Sequence, residues 1–198
     1  MKNMWDQRYD TDEFVYGKEP NAFFAESLGL LAPGKILLPG EGEGRNAVFA
    51  ASLGWDVDAF DQSSIAAEKA SSFARERGME IKYTACRLDD FPFKKVYYDA
   101  AGLIYFHAPP TLRQVLHQRV VEALKPGGMM IFEAFHISQL GNNTGGPQSL
   151  EMLYDKKILL KEFSSLEVDL IEELKVELNE GLFHAGPAQL VRYRGVKK

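Results

Sequence analysis

The chain has 198 residues, 45% hydrophobic and 26% charged, the balance of one soluble globular domain that needs no covalent staple for its core. Its 23 Lys and Arg against 28 Asp and Glu give a net charge of −5, which offers phosphate backbones no global attraction and disfavours a nucleic-acid partner. Cys86 stands alone, which excludes an internal disulfide and a cysteine-built zinc site. The first ten residues lack the apolar stretch of a secretory signal and no run is long enough to span a bilayer, so a cytoplasmic protein without a membrane partner is expected.

The aromatic-rich stretch from Trp5 to Phe24 predicts helices packed over the open end of a sheet. From residue 35 to 135, short apolar runs alternate with helical patterns. Strands are predicted over 35–38, 55–60, 101–106 and 129–132, with a weaker, edge-like strand over 80–84. Ala66, Ala70, Phe73 and Ala74 share a helical face that Gly78 ends. Thr111 to Gln114 reads as a capping box opening a helix that Pro126-Gly127-Gly128 stops. Such alternation predicts an α/β, Rossmann-like, doubly wound sheet, mostly parallel, with helices on both faces. Beyond it come a turn-rich loop (141–147), a helix over 150–163, and strands around 174–178 and 189–193 that pair as an antiparallel hairpin. The chain is read as a single domain over 1–198: a helical lid (1–30), a cofactor-binding α/β core (35–135), and a C-terminal helix and hairpin (136–198).

The chemistry concentrates where the first strand runs into Pro39-Gly40-Glu41-Gly42-Glu43-Gly44-Arg45-Asn46-Ala47. Alternate glycines let the backbone bend sharply and approach a ligand. The run formally fits a dinucleotide fingerprint but lacks the Lys-Ser/Thr of a triphosphate loop. Glu41 and Glu43 stand where a pyrophosphate requires donors and no negative charge. A ligand with an ammonium or a sulfonium group suits them better, and S-adenosylmethionine has both and no phosphate. Asp61 closes the second strand about 20 residues on, where a carboxylate accepts from ribose hydroxyls. The competing role for Asp61 is local, at the start of the helix after Ser63.

These motifs, with Trp5 to Tyr9, Val15 to Pro20, Asp61-Gln62-Ser63, Leu124 to Gly128 and Thr144 to Pro147, resemble class I S-adenosylmethionine-dependent methyltransferases, in particular the tellurite-resistance and thiopurine-methyltransferase-like group. The resemblance implies seven strands with the last antiparallel. It implies that Gly40, Gly42 and Gly44 line the methionine part of the cofactor, with Glu41 and Asn46 in the same loop. Asp61 would take the ribose, with Gln62 beside the adenine and Ser63 next to it in the cofactor-binding set. Cys86 to Asp90 would flank the adenine, with Asp89 or the Leu88 backbone making the contact. Tyr105, Phe106 and His107 would face the methyl group and the acceptor. Two positions depart from the pattern: Leu38 and Arg87 stand where the family usually has acids.

His107 is the first candidate for a base or acceptor-orienting group and His136 the second, each with a structural role as the alternative. His184 reads as a turn residue and His117 as an exposed helix residue. No histidine spacing suggests a metal. Trp5, Tyr9 and Tyr16 read as a lid over cofactor and acceptor. The expected activity is methyl transfer to a small molecule: a thiol, a chalcogen oxyanion or another heteroatom acceptor. The alternatives are an NAD(P)-dependent oxidoreductase and a non-catalytic adenosyl-ligand-binding protein. A monomer or weak homodimer is expected.

Overall fold

The computed structural model describes residues 4–198; residues 1–3 of the expected lid lie outside them. A seven-stranded sheet in the order β3-β2-β1-β4-β5-β7-β6 organises the chain. β1 (Lys35–Pro39), β2 (Asp56–Asp61), β3 (Lys82–Ala85), β4 (Tyr98–Ile104) and β5 (Leu124–Phe135) run parallel. β6 (Leu166–Asn179) and β7 (Ala185–Lys197) form a long hairpin, and β7 pairs antiparallel with β5. The order reverses between β1 and β4, and a crevice opens at the carboxyl ends of strands at such a switch point. The fold is the Rossmann-like, doubly wound one that the pattern predicts.

Alternation along each strand builds two apolar layers. On one face Leu37, Leu103, Met130 and Phe132 pack under α5 (Pro110–Ala123) and α6 (Lys156–Glu162), through Leu116, Val120 and Leu159. On the other, Ile36, Leu38 and Ile131 pack under α2 (Ala22–Gly29) and α3 (Arg45–Ser52), through Phe24, Leu28, Ala47 and Ala50. α4 (Ser64–Glu76) lies beside α3, and α1 (Met4–Tyr9) docks on α4. The expected lid therefore divides. α1 covers the carboxyl end of the sheet, while α2 is a layer of the core with Phe24 fully buried.

Several boundaries differ from the sequence reading, each for a local reason. β4 stops at Ile104, because Tyr105 adopts φ 53°, which no strand continues. α5 ends at Ala123, and β5 starts at Leu124, running through Pro126-Gly127-Gly128. The capping box at Thr111 does not form: Pro110 occupies the first helical position, its fixed φ suited to that place, and the cap residue is Pro109. The helix over 150–163 is a short 3-10 turn at Leu150–Met152 followed by α6. The hairpin strands extend well past their predicted cores because alternation is weak along their exposed face.

Gly102 lets α2 seat on the sheet. A Cβ there would lie 2.8 Å from both the Leu38 side chain and the Phe24 ring. Gly102→Ala is expected to lower stability by about 1–3 kcal/mol through overpacking, measurable as a fall in Tm with the far-UV spectrum unchanged.

Candidate active site

The glycine run forms the bend between β1 and α3, and Gly40, Gly42 and Gly44 all have positive φ. Its first two amides, of Gly40 and Glu41, donate to the Phe60 carbonyl of β2 at 2.8 and 3.2 Å. Asp61, at the end of β2, accepts from the Gly42 amide at 3.2 Å and from the Ser63 amide at 2.9 Å. Burial raises its pKa. The Gln62 amide also lies against this carboxylate, which stays an acceptor of the kind a ribose diol donates to. Gly42 has φ 62°, and a Cβ on it would stand 2.7 Å from the Tyr9 hydroxyl, so the bend and the lid meet without a side chain between them. Tyr83 donates to the Gly42 carbonyl at 2.6 Å and fixes the far side.

The two glutamates of the bend divide their roles. Glu43 accepts from the Val15 amide at 2.8 Å and pairs with Lys69, which also donates to the carbonyls of Tyr9, Thr11 and Glu13. Its charge is spent on fastening the N-terminal segment, so the expectation of two ligand-facing acids is corrected to one. Glu41 accepts from the Ala47 amide at 2.7 Å and from Asn46 at 3.4 Å, satisfying a free donor at the start of α3. No cation pairs with it among the described residues, and burial pushes its pKa up to about 7. A buried carboxylate without a counter-ion suits an incoming ammonium or sulfonium and disfavours a diphosphate. The bend thus fits S-adenosylmethionine, and Glu41, Gly42 and Asp61 are the residues that would hold it.

Over the bend, Trp5 stacks on Tyr9 at 5.8 Å and Tyr9 meets Tyr16 edge-on at 6.3 Å. Asp6 accepts from the Ser63 hydroxyl at 2.7 Å, while Ser63 caps α4. The hairpin turn locks the same segment, with the Leu182 amide on the Val15 carbonyl at 3.1 Å. Phe106 lies against Gly40 and Tyr105 follows directly on β4, so both border the switch point. Gln62 is exposed beyond β2. Leu88 packs against the core, its carbonyl accepting from Arg119. Asp89 has no contact with the glycine bend. It is exposed, lies 3.8 Å from Arg119, and lines a separate hollow with Phe91, Phe93 and Lys95.

The histidines are redistributed. His107 Nδ1 donates to the Met152 carbonyl at 2.7 Å and Nε2 accepts from the Phe135 amide at 3.3 Å. Those two backbone partners fix one neutral tautomer and leave no nitrogen for an acceptor, so the base role is corrected to a structural one. Burial depresses its pKa to about 4. His136 accepts from the Ser138 amide at 3.1 Å as a helix cap and turns Nε2 toward Glu173 at 3.4 Å, again a structural placement. His117 is buried against Glu162 and Arg113 rather than exposed. His184 is also buried, against Tyr16, Tyr105 and Phe135.

Sequence reasoning missed a polar cluster beside the bend. Asn21 donates its amide to Asn46 Oδ1 at 2.9 Å and its side chain to Glu133. Glu133 is 1% exposed and pairs with Arg192 of β7. Arg45 pairs with Glu180 at 2.9 Å, not with either bend glutamate. These groups line a cavity of about 360 Å³ between residues 16–22 and the hairpin. Only the placement of Asn21 before a helical run left a local signal, since it caps α2.

The His107 geometry has a pH consequence. The unfolded imidazole protonates near 6.5 and the folded one only near 4. Its stabilising share is therefore complete above 6.5 and is lost as pH falls toward 4, to at most about 3 kcal/mol. Replacing His107 by Asn should flatten that part of the curve of chemical-denaturation stability against pH.

Residues 36–128 match the family described as Methyltransferase domain. No curated protein matches the chain by sequence. TehB from Haemophilus influenzae is similar in structure, with TM-score 0.75 at 15% identity over 98% of this chain. The chain spans 66% of the length of TehB. A SAM-dependent methyltransferase from Methanosarcina mazei aligns with TM-score 0.72 at 18% identity, covering 90% of this chain and 98% of that one. A geranyl diphosphate methyltransferase in complex with GPP and sinefungin aligns with TM-score 0.67 at 17% identity, covering 89% and 77%. Residues 36–128 thus match a methyltransferase-domain model, and the chain as a whole shares the fold of these solved structures.

Proposed function

We propose that the chain is a methyltransferase that transfers a methyl group from S-adenosylmethionine to a small molecule carrying a thiol, chalcogen or other heteroatom nucleophile. The observation that carries this reading is the Glu41 carboxylate, its pKa raised by burial and no cation paired with it among the described residues, on a glycine bend at the switch point. Bound there, the cofactor supplies a methyl group already activated for in-line displacement. The protein's share is orientation and exclusion of water. Asp61 fixes the bend and accepts from the ribose hydroxyls, while Glu41 offsets positive charge. Tyr9, Tyr16 and the turn at 180–184 close the mouth.

A small acceptor is favoured by the closure itself. The lid is tied by Glu43 and Lys69 from below and by the hairpin turn from above. The neighbouring cavity of about 360 Å³ is of the size that takes small ligands. The same reading makes the enzyme cytoplasmic, without a nucleic-acid or membrane partner, and a monomer or weak homodimer. No helix among the described residues is long and apolar enough to cross a membrane. The narrower resemblance to the tellurite-resistance and thiopurine-methyltransferase-like group rests on Trp5 to Tyr9 and Val15 to Pro20, and those residues build the lid.

Titration calorimetry with S-adenosylhomocysteine and with NADH separates the leading reading from an oxidoreductase. Binding of the first and none of the second is expected, and the reverse would replace the reading. Methyl transfer to a panel of thiols, phenols and selenite then separates an enzyme from a binding protein. Glu41 adds a pH signature. A cation beside it favours its ionised form, so binding releases a proton, and affinity should rise as pH is raised from 5.5 to about 7, then level off. The slope is at most about tenfold per pH unit, and Glu41→Gln should remove it.

A further inference from the structure

Of the four histidines, three are committed elsewhere. His107 is held by two backbone groups, His136 caps a 3-10 turn, and His117 is sealed with Glu162 and Arg113 in the core. His184 differs. Its Nδ1 is buried and faces the Glu180 carboxylate at 3.6 Å, and Glu180 is in turn held by Arg45 at 2.9 Å. Among the described residues nothing hydrogen-bonds its Nε2. Its ring centroid lies 4.4 Å from that of Tyr105 and 4.6 Å from that of Tyr16.

Tyr105 gives the location meaning. It is the residue that follows β4 at the switch point, next to the Phe106 that touches Gly40. Its φ of 53° is one that a bulky residue holds only under constraint, and such strain gathers at functional sites. Its hydroxyl is buried, within the field of the Glu133 carboxylate, and no hydrogen bond within standard geometry reaches it among the described residues. A strained tyrosine with a buried hydroxyl and an imidazole backed by a carboxylate therefore share the end of the strand where methyl transfer takes place in the reading above.

We propose that His184, backed by Glu180, takes the proton of the methyl acceptor, and that the acceptor is therefore a protic nucleophile, a thiol or hydroxyl compound, rather than an inorganic oxyanion. The inference rests on the methyltransferase reading. The acceptor heteroatom gains the methyl carbon and loses its hydrogen to Nε2, while sulfur keeps the electron pair of the broken S–C bond. The imidazolium is balanced by Glu180, and its proton then leaves to water. Tyr105 lines the acceptor with its hydroxyl. The charged and titratable groups around His184 are Glu180 on its own turn, Arg45 from α3, Arg8 from α1, Tyr16 from the lid, and Tyr105 and His107 from the end of β4. Glu180 favours the imidazolium; burial, Arg45 and Arg8 oppose it.

The test has a spectroscopic and a kinetic arm. Imidazole resonances of protein labelled at histidine ring carbons are titrated in the wild type and in Glu180→Gln, the His184 signal being assigned by its loss in His184→Gln. Removing the carboxylate should lower the His184 pKa by about one unit or more; an unchanged value overturns the pairing, and this arm does not require His184→Gln to be active. In the kinetic arm, S-adenosylhomocysteine affinity of His184→Gln should stay within about twofold. Its kcat for 2-mercaptoethanol or phenol should fall by about 10²–10⁴ near neutral pH and recover as pH approaches the acceptor's own pKa. Equal kcat and an unchanged pH profile overturn the proposal while leaving the methyltransferase reading intact. So does transfer to selenite with none to either protic acceptor. Absence of S-adenosylhomocysteine binding to the wild type would instead remove the reading on which it rests.

Discussion

The site depends on one bend of backbone held open between two strands. Asp61 grips it from β2 through the Gly42 amide, Phe60 receives its first amides, and Glu41 ties its end to α3. The packing leaves no room for a Cβ at Gly40, Gly42 or Gly44. The arrangement buries two carboxylates beside a concave stretch of peptide, and burial raises the pKa of both. That electrostatic discomfort is relieved by positive charge, and on the proposed function this is what would favour a cationic adenosine-containing ligand over a diphosphate.

The lid follows from the same centre. Glu43 looks toward the ligand in the sequence but points outward to Val15 and Lys69, so one turn of chain carries both the pocket and its closure. Asn21 continues the link. It joins Asn46 in the bend's helix to Glu133 in β5, and through Arg192 to the hairpin. Elements far apart in sequence are thus coupled by buried, mutually satisfied polar groups. Such networks specify one geometry because each member is costly to leave alone.

The fold was legible where periodicity is strong. The runs 35–38 and 129–132 are strands, and the Ala66-Ala70-Phe73-Ala74 face is buried against its neighbours. The bend and Asp61 were legible because glycine and a strand-end acid leave local marks. What stayed hidden is set by tertiary contact. Nothing local tells that Tyr105 breaks from β4, that His117 is buried with Glu162, or that Arg45 reaches Glu180, a residue 135 positions away. His107 stood at the right strand end, but the Met152 carbonyl and the Phe135 amide that occupy its nitrogens come from elsewhere in the chain. His184 has the opposite history, since a turn residue gains its importance only when the hairpin folds back on the lid.

A crystal structure with sinefungin tests the central claim most directly. The account predicts the amino-acid end of the compound within hydrogen-bond reach of Glu41 and the bend amides, and its ribose on Asp61. Electron density for the compound at another place on the sheet, or a diphosphate seated against Glu41 under the same conditions, would contradict it.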